Sequence, residues 1–405
     1  MTTNNDGIDI AEAHHRAGRL DLAVPIYRRI VAADPSHAEA HKLLAIALFQ
    51  AGGTAEAEIF ARRALALKPT SLDAVNILAA ILGRSGRYAE AASVLRPFGE
   101  RLFKFPGMCL NLGLALRGNR DFAEAAIWLR RAIDADPKIA GAHENLGTVL
   151  ADLGRKDEAA AAFRAALALN PDNANARHML AALEGINPDA PPADYVRALF
   201  NDYAGRFERE LTDDLGYRVP QHLRAMVDEL GGAPNDAKRE RRFTRALDLG
   251  CGTGLSGVAF RDCVDEMVGV DLAKAMIAEA RAKKLYSALF AMEIGAYLAS
   301  NDARRKPFHL VIAADVFIYV GKLDHVFAAL AERMAPGGLF VFSIEDGGTE
   351  DFVLRDSGRY AHGSASITRL AGAHGFKIRA RDEIAIRKAT DGSVDGFAFV
   401  LERAA

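Results

Sequence analysis

The sequence predicts two regions of different fold class. The N-terminal half is predicted to be a helical repeat array, and the C-terminal half an α/β domain with a mostly parallel sheet. Three observations predict this division. Prolines recur at multiples of 34 residues up to Pro171, a proline-rich stretch then breaks the helical pattern, and short apolar runs alternate with helical segments beyond Arg245. Such alternation is typical of a parallel sheet that is covered on both faces.

The composition excludes several classes of protein. Half of the 405 residues are hydrophobic and the formal net charge is −2, so no global field favours nucleic acid or an anionic membrane. The N-terminus lacks the pattern of a signal peptide, and no apolar stretch approaches the roughly 20 residues that span a bilayer. We therefore expect neither a nucleic-acid nor a membrane partner.

The cysteines point to a reducing compartment. Cys109, Cys251 and Cys263 lie far apart and form no Cys-x-x-Cys pair. This spacing indicates neither a disulfide framework nor a zinc site, so we expect no metal and a cytoplasmic location.

The 34-residue period extends beyond the prolines, Pro35, Pro69, Pro137 and Pro171. Small residues recur where the axes of paired helices must approach closely, glycines recur where the chain must turn, and the prolines begin each linker. The small residues are Ala45, Ala79, Gly113, Gly147 and Ala181, and the turn glycines are Gly18, Gly52, Gly86 and Gly154. The pattern predicts five pairs of antiparallel helices, and a further helix over 173–183 is predicted to cap the array.

This period and pattern resemble the tetratricopeptide-repeat family over about 180 residues. The third unit departs from the pattern, because Phe103 replaces the expected proline, and we expect a local irregularity there. The resemblance implies a concave surface that binds a protein or peptide partner. A spacer or a dimerisation surface remains the alternative.

The proline-rich stretch is the predicted domain boundary. It contains Pro188, Pro191 and Pro192 among small and polar residues, which predicts a semi-rigid connection. The predicted division is a repeat array over 1–185, a linker over 186–196 and a catalytic domain over 197–405.

Seven strands are predicted in the second half. The last two are separated by a turn and are predicted to form an antiparallel hairpin. The predicted strands cover 245–249, 267–270, 288–292, 309–313, 339–343, 377–386 and 396–401.

A glycine-rich loop follows the first of these strands. Gly250, Gly252 and Gly254 would let the backbone approach a ligand closely at the start of a helix. Asp271, at the end of the second strand, is of the type that accepts both hydroxyls of a ribose. A dinucleotide-binding protein would also carry such a loop, although usually with Gly-x-Gly-x-x-Gly spacing.

These segments resemble class I S-adenosylmethionine-dependent methyltransferases over roughly 200 residues. The resemblance rests on four segments: 247–254, 268–272, 314–317 and 336–338. It implies a Rossmann-like fold with S-adenosyl-L-methionine as cofactor. More narrowly, 200–208 and 357–362 resemble a bacterial group of tetratricopeptide-containing predicted methyltransferases.

The resemblance implies a set of cofactor-binding residues: Tyr203, Asp248, Gly250, Gly252, Gly254, Asp271, Leu272, Glu293 and Asp315. Asp248 either orders the loop or touches the cofactor. Glu293 stands where the family often has an aspartate near the adenine. Asp315 ends the fourth strand and faces the crevice by position, and Tyr203 belongs either to a lid helix or to core packing.

Methyl transfer depends mainly on positioning and on exclusion of water, because the sulfonium already activates the methyl group. No catalytic residue is therefore assigned. Tyr319, Glu345, Arg359 and His362 are candidates for the acceptor side.

Three functions remain open at this point. The first is an active methyltransferase whose repeats recruit a protein partner or substrate. The second is an interaction scaffold whose methyltransferase-like domain has lost turnover. The third is a nicotinamide-dependent oxidoreductase, which the glycine spacing disfavours.

Overall fold

The chain folds into two units, Met1–Ala176 and Arg177–Ala405. They are described from a computed structural model that covers residues 4–230, 243–389 and 392–405. Within these ranges the side chains of residues 4–6, 202, 203, 205, 206, 209, 213, 214 and 389 lie outside the description.

The first unit is an array of paired helices. Each helix packs on the next, and α3, α5, α7 and α9 also contact one another in turn, which confirms the predicted solenoid of five pairs. Its helices are α1 (Asn4–Arg16), α2 (Leu20–Ala33), α3 (Ala38–Gln50), α4 (Thr54–Leu67), α5 (Leu72–Arg84), α6 (Tyr88–Leu95), α7 (Pro106–Gly118), α8 (Phe122–Ala135), α9 (Ala140–Asp152) and α10 (Lys156–Leu169).

The small residues of the repeat mark close helix contacts. A Cβ atom added at Gly113 would lie 2.7 Å from Cγ of Leu129, and one added at Gly147 would lie 2.8 Å from Cδ1 of Phe163. A larger residue at either position would push the paired helices apart.

The turn glycines take left-handed backbone conformations, with φ between 73° and 87° at Gly18, Gly52, Gly86 and Gly154. In the fourth unit Arg120 occupies the equivalent turn, with φ 66°. This conformation is unfavourable for a residue with a side chain, so the repeat geometry prevails over local preference there.

The predicted irregularity in the third unit is confirmed. A 3₁₀ segment, Arg96–Lys104, interrupts the helical pattern and contains Gly99 with φ 44°. The Phe103 ring packs 5.7 Å from the Trp128 ring, and the Arg131 guanidinium lies over both rings, 4.2 and 4.6 Å from their centroids. Phe103 therefore replaces the proline with an aromatic contact to the next unit.

Arginines and glutamates with the repeat period form a ladder of ion pairs between successive units. Each arginine pairs with a glutamate 28 residues further along the chain. The pairs are Arg28–Glu56, Arg62–Glu90, Arg96–Glu124 and Arg130–Glu158, with separations of 2.6, 3.4, 2.7 and 2.8 Å.

The second unit contains a seven-stranded sheet with strand order β3-β2-β1-β4-β5-β9-β8. Strands β1 to β5 are parallel and β9 pairs antiparallel with β8, as predicted, and β9 also pairs antiparallel with β5. The strands are β1 (Phe243–Leu249), β2 (Val264–Asp271), β3 (Ala288–Ala291), β4 (Phe308–Ala313), β5 (Met334–Glu345), β6 (Phe352–Leu354), β7 (Tyr360–His362), β8 (Phe376–Ala389) and β9 (Gly392–Arg403).

Helices cover this sheet, and β6 and β7 form a separate small hairpin that the sequence did not predict. A π-helical segment, Glu210–Asp214, follows the second of the helices. The helices are α11 (Ala174–Leu183), α12 (Ala193–Arg209), α13 (Val219–Leu230), α14 (Leu255–Phe260), α15 (Lys274–Ala282), α16 (Ile294–Ala299), α17 (Asn301–Arg305), α18 (Asp324–Arg333) and α19 (Ser364–Ala373).

A buried charge connects β1 to its neighbours. Only 1% of the Arg245 surface is exposed, and its guanidinium lies 3.1 Å from a carboxylate oxygen of Glu266 and 2.9 Å from one of Asp302. It also donates to the Lys306 carbonyl at 2.6 Å. A buried arginine is tolerated when it is paired and hydrogen-bonded in this way.

The predicted capping helix and linker both pack within the second unit. From Arg177 onwards α11 belongs to this unit, where Ala182 is buried against Leu354 and Tyr360. The linker carbonyls accept hydrogen bonds, at Pro188 from the Tyr360 hydroxyl and at Asp189 from the Lys322 amide. The division between the units therefore precedes the predicted linker, because the β6–β7 hairpin covers the apolar face of α11.

Candidate functional site

A cavity of about 450 Å³ opens at the carboxyl ends of the parallel strands. The loop after β1, the end of β2, the segment after β4 and helix α12 form most of its walls. In open α/β sheets ligands bind at this edge, where the strand order reverses between β1 and β4.

The glycine loop after β1 forms one wall. Gly250 and Gly252 line the cavity with φ of 61° and 51°. A Cβ atom at Gly250 would lie 2.7 Å from Cγ2 of Val316, so a side chain there would clash as well as strain the backbone. Gly254 has φ 95° and lies against Tyr286, behind the loop.

Asp271 and Leu272 line the cavity beside this loop. One Asp271 oxygen accepts the Gly252 amide at 3.0 Å, and the other accepts the Ala273 amide at 2.8 Å. Burial raises the pKa of this carboxyl, and the two amide hydrogen bonds oppose the shift. The carboxylate therefore both faces the cavity and fixes the loop.

Glu293 lines the cavity at the end of β3, together with Met292 and Ile294. Its carboxylate turns back and accepts the Ala296 amide at 2.8 Å, as the N-cap of α16. The side chain thus has a local structural role in addition to its position in the cavity wall.

Asp248 is buried beneath the loop and lies outside the described cavity wall. One oxygen accepts the Tyr286 hydroxyl at 2.7 Å, and the Ser256 hydroxyl also favours the charged form of the carboxyl. Burial raises the pKa of Asp248 to about 7. Tyr286 also accepts the Gly257 amide, so Asp248 is linked to α14 through a tyrosine that sequence reasoning missed.

The opposite wall carries a cluster of charges at the ends of β4 and β5. Asp315 lines the cavity with φ 58°, and its amide donates to the Ser343 hydroxyl at 2.9 Å. Arg387 of β8 lies 3.3 Å from an Asp315 oxygen and donates to Glu345 with its other terminal nitrogen. Burial raises the pKa of the Asp315 carboxyl, and the arginines oppose that shift.

The four acceptor-side candidates divide into two pairs. Tyr319 and Arg359 line the cavity, whereas Glu345 and His362 do not appear in its described wall. The Glu345 carboxylate pairs with Arg387. The His362 Nε2 lies 2.8 Å from the Gly321 carbonyl, and burial lowers the pKa of its imidazole.

Helix α12 covers the cavity with Phe200 and Phe207. The Phe200 ring meets the Tyr319 ring edge to face at 4.9 Å. The helix is fastened by the Ala275 amide, which donates to Asn201 at 3.1 Å, and by an ion pair between Glu208 and Lys283. Tyr203 lies in this helix, but its side chain is outside the described residues.

Family models match segments in both halves of the chain. The model of the methyltransferase domain family matches residues 247–340, and the tetratricopeptide-repeat model matches residues 8–71 and 110–174. The chain carries tetratricopeptide repeats and a methyltransferase domain. The matched range contains Asp271, Glu293 and Asp315, whereas Arg359, Arg387 and α12 lie outside it.

Solved structures similar to the chain include helical repeat proteins. The chain is 21% identical to MamA residues 41 to the end from Desulfovibrio magneticus RS-1, over 43% of this chain and 98% of that one, with a TM-score of 0.39. It is 20% identical to YrrB, titled a TPR protein with an unusual peptide-binding site, over 44% of this chain and 91% of that one, also with a TM-score of 0.39. A comparison with curated proteins finds no match.

Two further findings concern the described residues only. No helix among them is long and apolar enough to cross a membrane. No group of three or more His, Cys, Asp or Glu side chains within the same residues could hold a metal ion.

Proposed function

We propose that the methyltransferase domain binds S-adenosyl-L-methionine in the cavity and transfers its methyl group to an acceptor. The observation that carries the proposal is the position of Asp271. Its carboxylate lines the cavity at the end of β2 and is held against the glycine loop by two backbone amides. This arrangement suits a ligand with a ribose.

The residues around Asp271 fit the rest of the cofactor. Gly250 and Gly252 leave room for close approach of a ligand to the backbone, and Leu272 and Met292 add apolar wall beside it. Glu293 stands at the far edge, where the family resemblance suggests the adenine. We assign Asp248 to support of the loop through Tyr286, and Gly254 to the turn into α14.

When bound, S-adenosylmethionine supplies a methyl group that its positively charged sulfur has already activated. The domain's own residues need only orient the acceptor and exclude water. Phe200 and Phe207 of α12 close one side of the cavity, and Tyr319 and Asp315 face the acceptor end. We propose no general base.

We further propose that the repeat array recruits a protein or peptide. The match to the tetratricopeptide family supports this role. Polar side chains on the first helix of successive pairs also form hydrogen bonds with one another. Asn111 of α7 donates to Asn76 of α5 at 2.7 Å, and Asn145 of α9 accepts from Arg117. The alternative is a spacer or dimerisation role, and the truncation experiment below distinguishes it from recruitment.

A cytoplasmic location belongs to the same proposal. Cys109, Cys251 and Cys263 are all free and buried, which is in keeping with a compartment that maintains thiols in the reduced state.

Calorimetry with the full chain tests the cofactor. We expect micromolar binding of S-adenosylmethionine and no binding of NAD. Binding of NAD alone would favour the oxidoreductase instead. Methyl transfer from labelled cofactor then distinguishes an active enzyme from a scaffold that binds the cofactor without turnover.

A truncation tests the array. The fragment should begin at Asn173 rather than at Pro188, because Ala182 of α11 packs on the strands of the β6–β7 hairpin and His178 contacts the turn that connects them. If the array recruits a tethered acceptor, truncation should lower kcat/KM by up to about 100-fold with little change in kcat. Equal kcat/KM values for both proteins on one acceptor would leave the array as a spacer or dimerisation element.

A further inference from the structure

Arg359 and Arg387 are two arginines in the cavity wall with different surroundings. Arg387 is held between Asp315 and Glu345. No carboxylate among the described residues lies within ion-pair distance of Arg359, although Asp315 and Glu345 act on it from further away. Arg387 thus has its counter-charges in place, whereas Arg359 is hydrogen-bonded to the neutral Tyr319 hydroxyl and has no carboxylate partner among the described residues.

The backbone around Arg359 is fixed, so this placement follows from the fold. The Gly358 carbonyl accepts from His178 Nε2 at 2.9 Å, and the Arg359 carbonyl accepts the Arg355 amide at 2.9 Å. The next residue, Tyr360, begins β7 and is fully buried. A largely buried guanidinium that is held in a cavity without an ion-pair partner is stabilised when a ligand supplies the counter-charge.

The surroundings indicate which anion fits. Asp315 and Glu345 repel a dianion such as phosphate more strongly than a monoanion. Val196, Leu199, Ile318 and Val320 make much of the neighbouring wall apolar. A carboxylate on an apolar body satisfies both conditions, and it matches the planar fork of a guanidinium.

We propose that the methyl acceptor carries a carboxylate and that Arg359 binds it. This inference rests on the proposed methyltransferase function and specifies its substrate class. The residue lies outside the range that the methyltransferase family model matches, as expected for a group that selects the acceptor. The carboxylate can belong to a small organic acid or to a peptide.

The test uses the full chain saturated with S-adenosylhomocysteine. In the first arm the affinity for octanoate is compared with that for octanamide. In the second arm a short apolar peptide with a free C-terminal carboxylate is compared with its amidated form. Inorganic phosphate is the third ligand and supplies the dianion. We expect at least one carboxylate to bind about 10-fold or more tightly than its amide. The arm in which this occurs identifies the source of the carboxylate.

Variants then assign the effect to the residue. Arg359→Gln should abolish the preference for acid over amide, Arg359→Lys should restore part of it, and S-adenosylhomocysteine affinity should stay within about twofold. Arg369→Gln, an exposed arginine paired with Asp351, is the matched control and should change nothing.

Four results would overturn the inference. They are equal binding of acids and amides, no binding of any acid, preference for phosphate, or a loss in Arg359→Gln of cofactor-product affinity instead of acid affinity. Failure of wild-type protein to bind S-adenosylhomocysteine would instead overturn the proposed function, so the two failures are distinguishable.

Discussion

The repeat array and the methyltransferase domain are built on contacts of different reach along the chain. In the array each helix touches the next helix or the next but one, and the ion-pair ladder joins exposed residues 28 positions apart. In the methyltransferase domain Asp315 meets Arg387 across 72 positions, and both are largely buried. The charged pairs of the array are therefore exposed at its surface, whereas those of the domain are buried in its interior, where the loss of one partner is costly.

The single tryptophan allows the two regions to be observed separately. Trp128 is buried in α8 of the array, so its fluorescence follows unfolding of the array. Circular dichroism follows both regions. A substitution in the methyltransferase domain should therefore shift the unfolding transition of that domain, which circular dichroism detects, and leave the fluorescence transition of the array unchanged.

The largest effect is expected at Arg245. Arg245→Ala would leave the carboxylates of Glu266 and Asp302 without their shared buried partner. We expect the domain to lose about 3–5 kcal/mol of its free energy of unfolding. Denaturant unfolding followed by circular dichroism should show this loss with an unchanged fluorescence midpoint. A coincident shift of both signals would contradict the separation of the two regions.

A packing change gives the corresponding test in the array. Gly147→Ala would bring a methyl group within 2.8 Å of the Phe163 ring. We expect a loss of about 1–3 kcal/mol from overpacking, detected by tryptophan fluorescence. Gly141→Ala, where nothing lies within 4 Å of the new methyl group, is the matched control and should not destabilise the array. Equal effects of the two substitutions would refute the close helix contact.

The methyltransferase domain should also respond to pH through Asp248. Its pKa of about 7, raised from 3.8 by burial, means that the folded state retains a proton which the unfolded chain has released. The contribution of Asp248 to the free energy of unfolding should therefore fall as pH rises from about 4 to 7, and then level off. Asp248→Asn should reduce this slope, by at most about 1.4 kcal/mol per pH unit. Asp351→Asn, at an exposed carboxylate, should leave it unchanged, and identical slopes in Asp248→Asn and wild type would contradict the burial argument.

The smallest effect is expected in the ion-pair ladder. Arg28→Ala removes a pair whose partners are 48% and 38% exposed. We expect a loss of less than about 0.5 kcal/mol, and less still at high salt. A loss as large as that expected for Arg245→Ala would contradict the claim that ion pairs in the array contribute less to stability than those in the domain.

Patterns with short sequence spacing predicted most of the fold. The 34-residue period predicted five helix pairs and the irregular third unit. The glycine loop and Asp271 predicted a ligand site next to β1 and β2. Arg120 shows the limit of such a pattern, because the turn keeps its left-handed conformation without a glycine. Neighbouring turns and helix contacts evidently fix the backbone there.

Long-range contacts account for what sequence reasoning missed. Tyr286 and Arg387 have no local signature, and their roles depend on Asp248 and Asp315 far along the chain. Glu293 lines the cavity, but its carboxylate also caps α16, which is decided by local backbone geometry. The packing of α11 on the β6–β7 hairpin likewise depends on two strands of three residues each, which are too short for a sequence pattern to reveal.

The central claim, that Asp271 anchors S-adenosylmethionine, is tested most directly by calorimetry on Asp271→Ala. Loss of charge-assisted hydrogen bonds should weaken cofactor binding by about 1–3 kcal/mol, which is roughly 5- to 150-fold. Asp351→Ala, outside the cavity, is the control and should bind as wild type does. Circular dichroism must show that Asp271→Ala is folded, because the carboxylate also holds the Gly252 amide. Unchanged affinity in folded Asp271→Ala would contradict the account, whereas the predicted loss, with normal binding by Asp351→Ala, would support it.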